Sequence, residues 1–125
     1  MGLLTISVKR TNGSVAKVAI DPDTVSAARR LPYAPERYFY MNDAILLPLS
    51  RLIQTRARPE GIGNAVKLMA AAYAGRQIRR APIDVQPLDA ESYLVLDGNS
   101  TVTIATAAGW PLIPCRVVPT SKSSA

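Results

Sequence analysis

The chain of 125 residues is the size of one domain, and its 48% of apolar residues are too many for a disordered tail. It contains no histidine and a single cysteine, Cys115, which excludes histidine-based general bases, Ser-His-Asp triads, cysteine-rich metal sites and intrachain disulfides. Fifteen Lys and Arg against nine Asp and Glu give a net charge of +6, which favours an anionic partner such as a nucleic acid or a nucleotide.

The first half of the chain predicts a β-hairpin followed by short elements. Residues 3–9 and 15–20 alternate and are rich in β-branched side chains, and Asn12-Gly13 between them is typical of a tight hairpin turn. The other predictions here are a helix over 25–30 capped by Asp21 or Asp23, a strand or ordered loop over 37–41, an edge strand over 44–49 and a helical turn over 50–53.

The second half predicts alternating helices and strands. A basic loop over 56–63 is followed by a helix over 62–74 that ends at Gly75, where apolar residues recur with the helical period. Strands are expected at 82–85, 93–96 and 113–118, with a helix at 100–108 capped by Asn99 or Ser100. The prediction is an α+β fold with a small mixed sheet and packed helices: an N-terminal hairpin and extension (1–43) packed on a core (44–118), and a frayed tail (119–125).

Residues 93–101, Tyr-Leu-Val-Leu-Asp-Gly-Asn-Ser-Thr, form the first candidate site. A glycine turn lets an anion approach the backbone, and the amides and positive dipole end of the following helix then face that anion. We predict phosphate contacts from Gly98, Asn99, Ser100 and Thr101, with Asp97 as a catalytic or metal-binding acid. An ordinary strand–turn–helix connection, in which Ser100 is a plain cap, has the same pattern.

The positive charge is concentrated in one segment. Residues 51–80 hold seven basic residues against one acidic residue, an excess equal to the net charge of the whole chain. We predict phosphate contacts from Arg76, Arg79 and Arg80, and contacts to a nucleic-acid backbone from Arg56, Arg58 and Lys67. Two alternatives remain: a basic solvated face without a ligand, and arginines that only complement the carboxyl end of the preceding helix.

A resemblance adds to this interpretation. Pro82-Ile83, residues 93–99, Ala105, Ala108-Gly109-Trp110 and residues 113–117 resemble the core of the ParB/sulfiredoxin superfamily. That family runs from a strand through D-G-x-H/Q-R into a helix, and then through G-x-x-x-I/V-P-V into a last strand. Residues 44–53 and 56–75 resemble the upstream strand and helix, so the resemblance covers 44–118 and leaves 1–43 without a counterpart.

The resemblance implies a ParB/sulfiredoxin-like fold with a nucleotide or nucleic-acid phosphate at the start of the helix after Asp97-Gly98. The superfamily includes DNA-partition CTPases, sulfiredoxin, free-serine kinases, nucleases and a plasmid protein of fertility inhibition. Ser100 and Thr101 stand where members carry His and Arg, and Asn99 stands where sulfiredoxin has its cysteine. Sulfiredoxin activity is therefore not expected, and the neighbouring arginines would have to replace the missing Arg.

Two functions follow from these expectations. The first is binding of nucleic-acid or nucleotide phosphate in plasmid or phage biology, extended to a metal-dependent DNase or nucleotide hydrolase in which Asp97 holds Mg²⁺ or Mn²⁺. The second is a non-catalytic inhibitor module with a degenerate site and a protein partner in a secretion, conjugation or phage system. A nucleotide-dependent small-molecule kinase is a third. The single cysteine, and the absence of a signal-peptide core or a long apolar run, predict a cytoplasmic protein with no membrane segment.

Overall fold

Five strands form a mixed sheet with helices packed against it, and two further strands form a separate antiparallel pair. The computed structural model describes residues 4–9, 15–54 and 59–118. The elements are β1 (Leu4–Lys9), β2 (Val15–Ile20), α1 (Pro22–Arg29), α2 (Pro35–Tyr38), β3 (Ile45–Pro48), a 3-10 turn (Leu49–Arg51), β4 (Leu52–Ile53), α3 (Pro59–Tyr73), β5 (Ile83–Pro87), β6 (Tyr93–Asp97), α4 (Asn99–Ala107) and β7 (Leu112–Val117). The predicted α+β class is confirmed.

The sheet has the strand order β3-β7-β5-β6-β4, so β3 is an edge strand as predicted. β3 with β7 and β5 with β6 are antiparallel pairs, whereas β5 with β7 and β4 with β6 are parallel. The helices α1, α3 and α4 contact one another, and α4 also contacts the central strand β5. This arrangement brings the carboxyl end of β6 and the start of α4 beside α3.

The N-terminal strands pair as the alternation predicts. β1 and β2 are antiparallel, with a register that runs from Leu4 opposite Ile20 to Lys9 opposite Val15. The predicted turn at Asn12-Gly13 lies outside the described residues. Ile20 is buried in the same core cluster as Val25 of α1, so this segment contributes to the core that the central sheet also builds.

Residues 37–41 differ from the prediction of a strand or ordered loop. A helical turn occupies Pro35–Tyr38, because Pro35 has the fixed φ that favours the first helical position. Only the next residues are extended: the Arg80 amide donates to the Tyr38 carbonyl (2.7 Å) and the Tyr40 amide donates to the Arg80 carbonyl (2.9 Å). These two bonds fix the backbone of Arg80 beside the aromatic segment.

Two boundaries around the basic loop were wrong. The predicted helical turn is present but occupies Leu49–Arg51, so that residues 52–53 form a short strand, and α3 begins at Pro59 instead of residue 62. Pro59 is suited to the first position of a helix, since its missing amide has no helical partner to lose there. The end of α3 is as predicted: Gly75 has φ +78, its amide donates to Ala72 (3.0 Å), and the Arg76 amide donates to Ala71 (2.9 Å).

Asp21 caps α1 through two hydrogen bonds. Its carboxylate accepts from the hydroxyl of Thr24 (2.6 Å) and from the backbone amide of Thr24 (3.0 Å). These bonds hold the pKa of Asp21 below its ordinary value. Because the folded-state pKa is depressed, the stabilisation is present above the unfolded-state pKa and is lost as the pH falls through the folded value.

Asp21→Ala should therefore lower the Tm by a few degrees at neutral pH, and the difference from the parent should shrink in acid. Thermal unfolding followed by circular dichroism across the acid range measures this. Asp21→Asn, which keeps an acceptor without the charge, is the matched control and should show little pH dependence. A Tm difference for Asp21→Ala that stays constant into strong acid would contradict the capping account.

Candidate anion-binding site

Two helices border the same cleft. α4 starts at Asn99, immediately after β6, and α3 starts at Pro59. Their first turns approach so closely that a Cβ added to Gly61 would lie 2.8 Å from Ser100 Oγ. Because the first amides of an α-helix have no intrahelical acceptor and its dipole is positive there, the start of α4 favours an anion in this cleft, which α3 borders with one side.

The cleft between these helix starts has a volume of about 340 Å³. From α3 and the basic segment it is lined by Gly61, Asn64, Ala65, Leu68 and Arg80, and from the strand end and α4 by Asp97, Gly98, Asn99, Ser100 and Thr101. Six predicted site residues are thus brought together. Nothing in the sequence indicated that Gly61 lines the cleft, because its position there depends on the contact between α3 and α4, which are far apart along the chain.

Gly98 shapes the turn, although its role differs from the predicted one. The cap of α4 is Gly98, with φ +99 and no side-chain capping bond, rather than Asn99 or Ser100. A positive φ favours glycine, and a Cβ here would also lie 2.6 Å from Cδ1 of the buried Ile83. Without a capping side chain, the first amides of α4 are left to other acceptors.

A buried glutamine holds the first turn of α4 in place. Nε2 of Gln54, which follows β4, donates to the Asn99 carbonyl (2.9 Å) and to Thr103 Oγ1 (2.7 Å). Thr103 Oγ1 in turn donates to the Asn99 carbonyl at 3.1 Å. Gln54 is 6% exposed, so these bonds are shielded from water and keep the start of α4 fixed relative to the sheet. The sequence contained no signal for Gln54 beyond a polar residue after an apolar pair.

Arg80 provides a positive charge at the cleft. Its side chain is half-buried and forms no hydrogen bond or ion pair with any residue that the structure describes. Burial lowers the pKa of the Arg80 guanidinium, and the nearby Asp97 carboxylate partly opposes that shift. Arginine nevertheless stays charged in proteins, so this guanidinium is available to a ligand anion.

Asp97 is the exposed last residue of β6 and lines the same cleft. Within the described residues, no group of three or more Cys, Asp or Glu side chains is placed to hold a metal ion. Magnesium often uses only one or two carboxylates together with substrate phosphates and waters. Asp97 at the edge of this cleft fits that type of site, and it does not fit a cage made entirely of protein ligands.

The other predicted basic residues are dispersed. Arg79 lies next to Arg80 in an adjoining cleft of about 360 Å³, where Nη1 donates to the Glu36 carbonyl at 3.2 Å. Arg76 and Lys67 are exposed and line neither cleft. Arg56 and Arg58 lie outside the described residues. Of the basic residues predicted to contact phosphate, Arg80 therefore lines both clefts and Arg79 lines the adjoining one.

Comparison with known proteins adds no family assignment. No protein-family model matches the chain, and no curated protein sequence matches it. Of the helices in the described stretches, none is both long and apolar enough to cross a lipid bilayer. Function must therefore be inferred from the cleft itself.

Proposed function

We propose that the chain binds a phosphate-bearing ligand, a nucleotide or a nucleic-acid backbone, in the cleft between α3 and the start of α4. The observation that carries this proposal is that the start of α4 lines the same cleft as the half-buried Arg80, which has no bonded partner in the described part of the chain. A helix dipole and a guanidinium then act on one anion, and charge-assisted bonds of this kind are stronger than neutral ones.

The side chains at the start of α4 supply further donors. Ser100 lies at the contact with α3, and Thr101 lines both this cleft and the adjoining one. The hydroxyls of Ser100 and Thr101 can donate to phosphate oxygens, so they extend the set of donors that the start of α4 presents to an anion.

We also propose that the α+β fold is of the ParB/sulfiredoxin type and that the protein works in the cytoplasm. The support is the order of elements from β6 through Gly98 into α4 and β7, together with the D-G turn at the cleft. In that family an arginine follows the turn, where this chain has Thr101. Arg80 reaches the same cleft from the segment before β5 and is the candidate replacement.

A catalytic form of this proposal is a metal-dependent phosphodiesterase acting on DNA. Asp97 would hold Mg²⁺ or Mn²⁺, which lowers the pKa of a bound water when present. The amides at the start of α4 and the Arg80 guanidinium would stabilise the negative charge that develops on the phosphate oxygens. The chain has no histidine to act as a general base, so activation of the water depends on the ion.

Incubation of plasmid and linear DNA with and without Mg²⁺ or Mn²⁺ tests this form. We expect cleavage that requires the ion, stops with EDTA and falls by at least about 100-fold in Asp97→Ala, which removes the carboxylate from the cleft. Glu91→Ala, an exposed acidic position outside the clefts, is the matched control and should cleave normally. Cleavage that survives both chelation and Asp97→Ala would rule out this mechanism.

The second candidate is a binding module that inhibits a protein machine without catalysis. The observation that favours it is that Asp97 is the single carboxylate lining the cleft among the described residues. In that case Asp97→Ala keeps the biological effect, whereas charge reversal of Arg76, Arg79 and Arg80 to Glu removes it. Thermal shift assays with ATP, ADP and CTP report whether a nucleotide binds in either case.

A further inference from the structure

The phosphate cleft is the first part of a longer groove. The adjoining cleft of about 360 Å³ shares Leu68, Arg80, Asp97, Gly98 and Thr101 with it. A third cleft, of about 300 Å³, shares Gln77, Ile78 and Arg79 with the second. The three clefts therefore lie side by side, and we call them together the basic groove. It runs from Gly61 and the start of α4, past Arg80 and Arg79, to the aromatic residues beside α2.

The far end of the basic groove pairs arginines with tyrosines. The Arg79 guanidinium lies 5.0 Å from the centre of the Tyr40 ring, and the Arg37 guanidinium lies 4.4 Å from the centre of the Tyr73 ring. Tyr40 is 40% exposed. Neither arginine is within ion-pair distance of a carboxylate in the described residues. The Tyr73 ring also stacks on the buried Tyr38, with 5.3 Å between ring centres, so the exposed Tyr40 ring and the Arg79 guanidinium are the surfaces on which unpaired bases can stack.

We propose that the basic groove binds a single-stranded nucleic acid. One phosphate lies in the first cleft, at the start of α4, and the next nucleotides follow Arg80 and Arg79 towards Tyr40. This assignment rests on the proposed function for its first phosphate. The arginines and the exposed tyrosine at the far end of the groove are the reason for proposing a polymer instead of a single nucleotide. A mononucleotide suits one cleft of this size. Three adjoining clefts that carry Arg80, Arg79 and Arg37 beside apolar and aromatic surface, with Asp97 and Glu36 as their acidic residues, suit a chain of repeating units.

The exposed ring favours a single strand over a duplex. In a duplex the bases are stacked on each other, so a tyrosine on the protein surface cannot stack on them. Only the phosphates of a duplex would contact the groove. A single strand offers both its phosphates to the arginines and its bases to Tyr40 and to the guanidinium of Arg79. Sequence preference should be weak, since every base has a face that can stack.

Fluorescence anisotropy and calorimetry can test the length dependence. We expect a 5′-phosphorylated oligothymidylate of about six nucleotides to bind roughly 10- to 100-fold more tightly than thymidine 5′-monophosphate. Tyr40→Ala should weaken the hexamer about tenfold and leave the monophosphate unchanged. Tyr33→Ala is the matched control, because Tyr33 is similarly exposed (43%), packs on Trp110 and lines none of the three clefts.

The outcomes separate the two proposals. If the monophosphate binds and the hexamer binds no more tightly, the groove assignment is overturned while the phosphate cleft stands. If a duplex of the same sequence binds as tightly as the single strand, the stacking role of Tyr40 is overturned as well. If neither the monophosphate nor the hexamer binds, the proposed function itself fails. Thermal unfolding of Tyr40→Ala and Tyr33→Ala confirms that the variants compared are folded.

Discussion

Gly98→Ala is expected to lower the free energy of unfolding by about 2–5 kcal/mol. A non-glycine residue in the left-handed region costs roughly 1–2 kcal/mol, and forcing an extra carbon into a packed core costs roughly 1–3 kcal/mol more. Both apply here, because Gly98 has φ +99 and its added Cβ would lie 2.6 Å from Cδ1 of Ile83. Ile83 is 2% exposed and held within the core, so its side chain has little room to move away.

Denaturant unfolding of Gly98→Ala beside Gly75→Ala separates the two causes. Gly75 also has a positive φ (+78), but nothing lies within 4 Å of a Cβ added there. Gly75→Ala should therefore show only the backbone cost of about 1–2 kcal/mol. Equal losses in the two variants would show that contact with Ile83 does not constrain the turn. Ligand binding should also weaken in folded Gly98→Ala, since the start of α4 must shift.

Arg80→Ala should weaken the binding of pyrophosphate or ADP by about 10- to 100-fold. Hydrogen bonds to charged groups contribute roughly 1.5–3 kcal/mol, and a tenfold change in affinity corresponds to about 1.4 kcal/mol. Because the bonds that place Arg80 between Tyr38 and Tyr40 use its backbone, they survive the substitution and the fold should persist. Isothermal titration calorimetry measures the change, and Arg80→Lys should fall between parent and alanine because the charge remains without the planar fork.

The control for Arg80→Ala is Arg30→Ala. Arg30 is exposed, follows α1 and lines none of the clefts, so its removal changes the net charge by the same amount. If affinity depends on the cleft, Arg30→Ala should bind normally at physiological salt. Equal weakening in the two variants would mean that the ligand responds to overall charge, and the assignment of Arg80 would be wrong.

Local sequence patterns predicted the regular elements well and the contacts between them poorly. The alternation at 15–20 and the glycine at 75 each encode a local preference, and both appear as expected. The early start of α3 was missed because Gly61 looks like a loop residue. It is tolerated inside the helix at the point where α4 comes within contact distance. Such a contact depends on tertiary packing, which no local pattern contains.

The same limit applies to the candidate site. The sequence grouped Arg76, Arg79 and Arg80 as equivalent, since all three follow a helix end. Their environments differ. The backbone amide of Arg76 donates a hydrogen bond to the last turn of α3, whereas the backbone of Arg80 pairs with the segment after α2. Spacing along the chain cannot distinguish these cases. The turn at Asp97-Gly98 could be predicted as part of the site, because the strand, the glycine and the helix start follow one another directly in the sequence.

The most direct measurement of the central claim is a ¹⁵N–¹H NMR titration of the protein with pyrophosphate. The start of α4 and Gly61 of α3 line the proposed site, so we expect the largest shift changes at Gly61, Gly98, Ser100 and Thr101. These changes should saturate with one affinity and disappear in Arg80→Ala. Shift changes centred on the exposed Lys67 and Arg76, or none at any of these amides at millimolar pyrophosphate, would contradict a phosphate site at the start of α4.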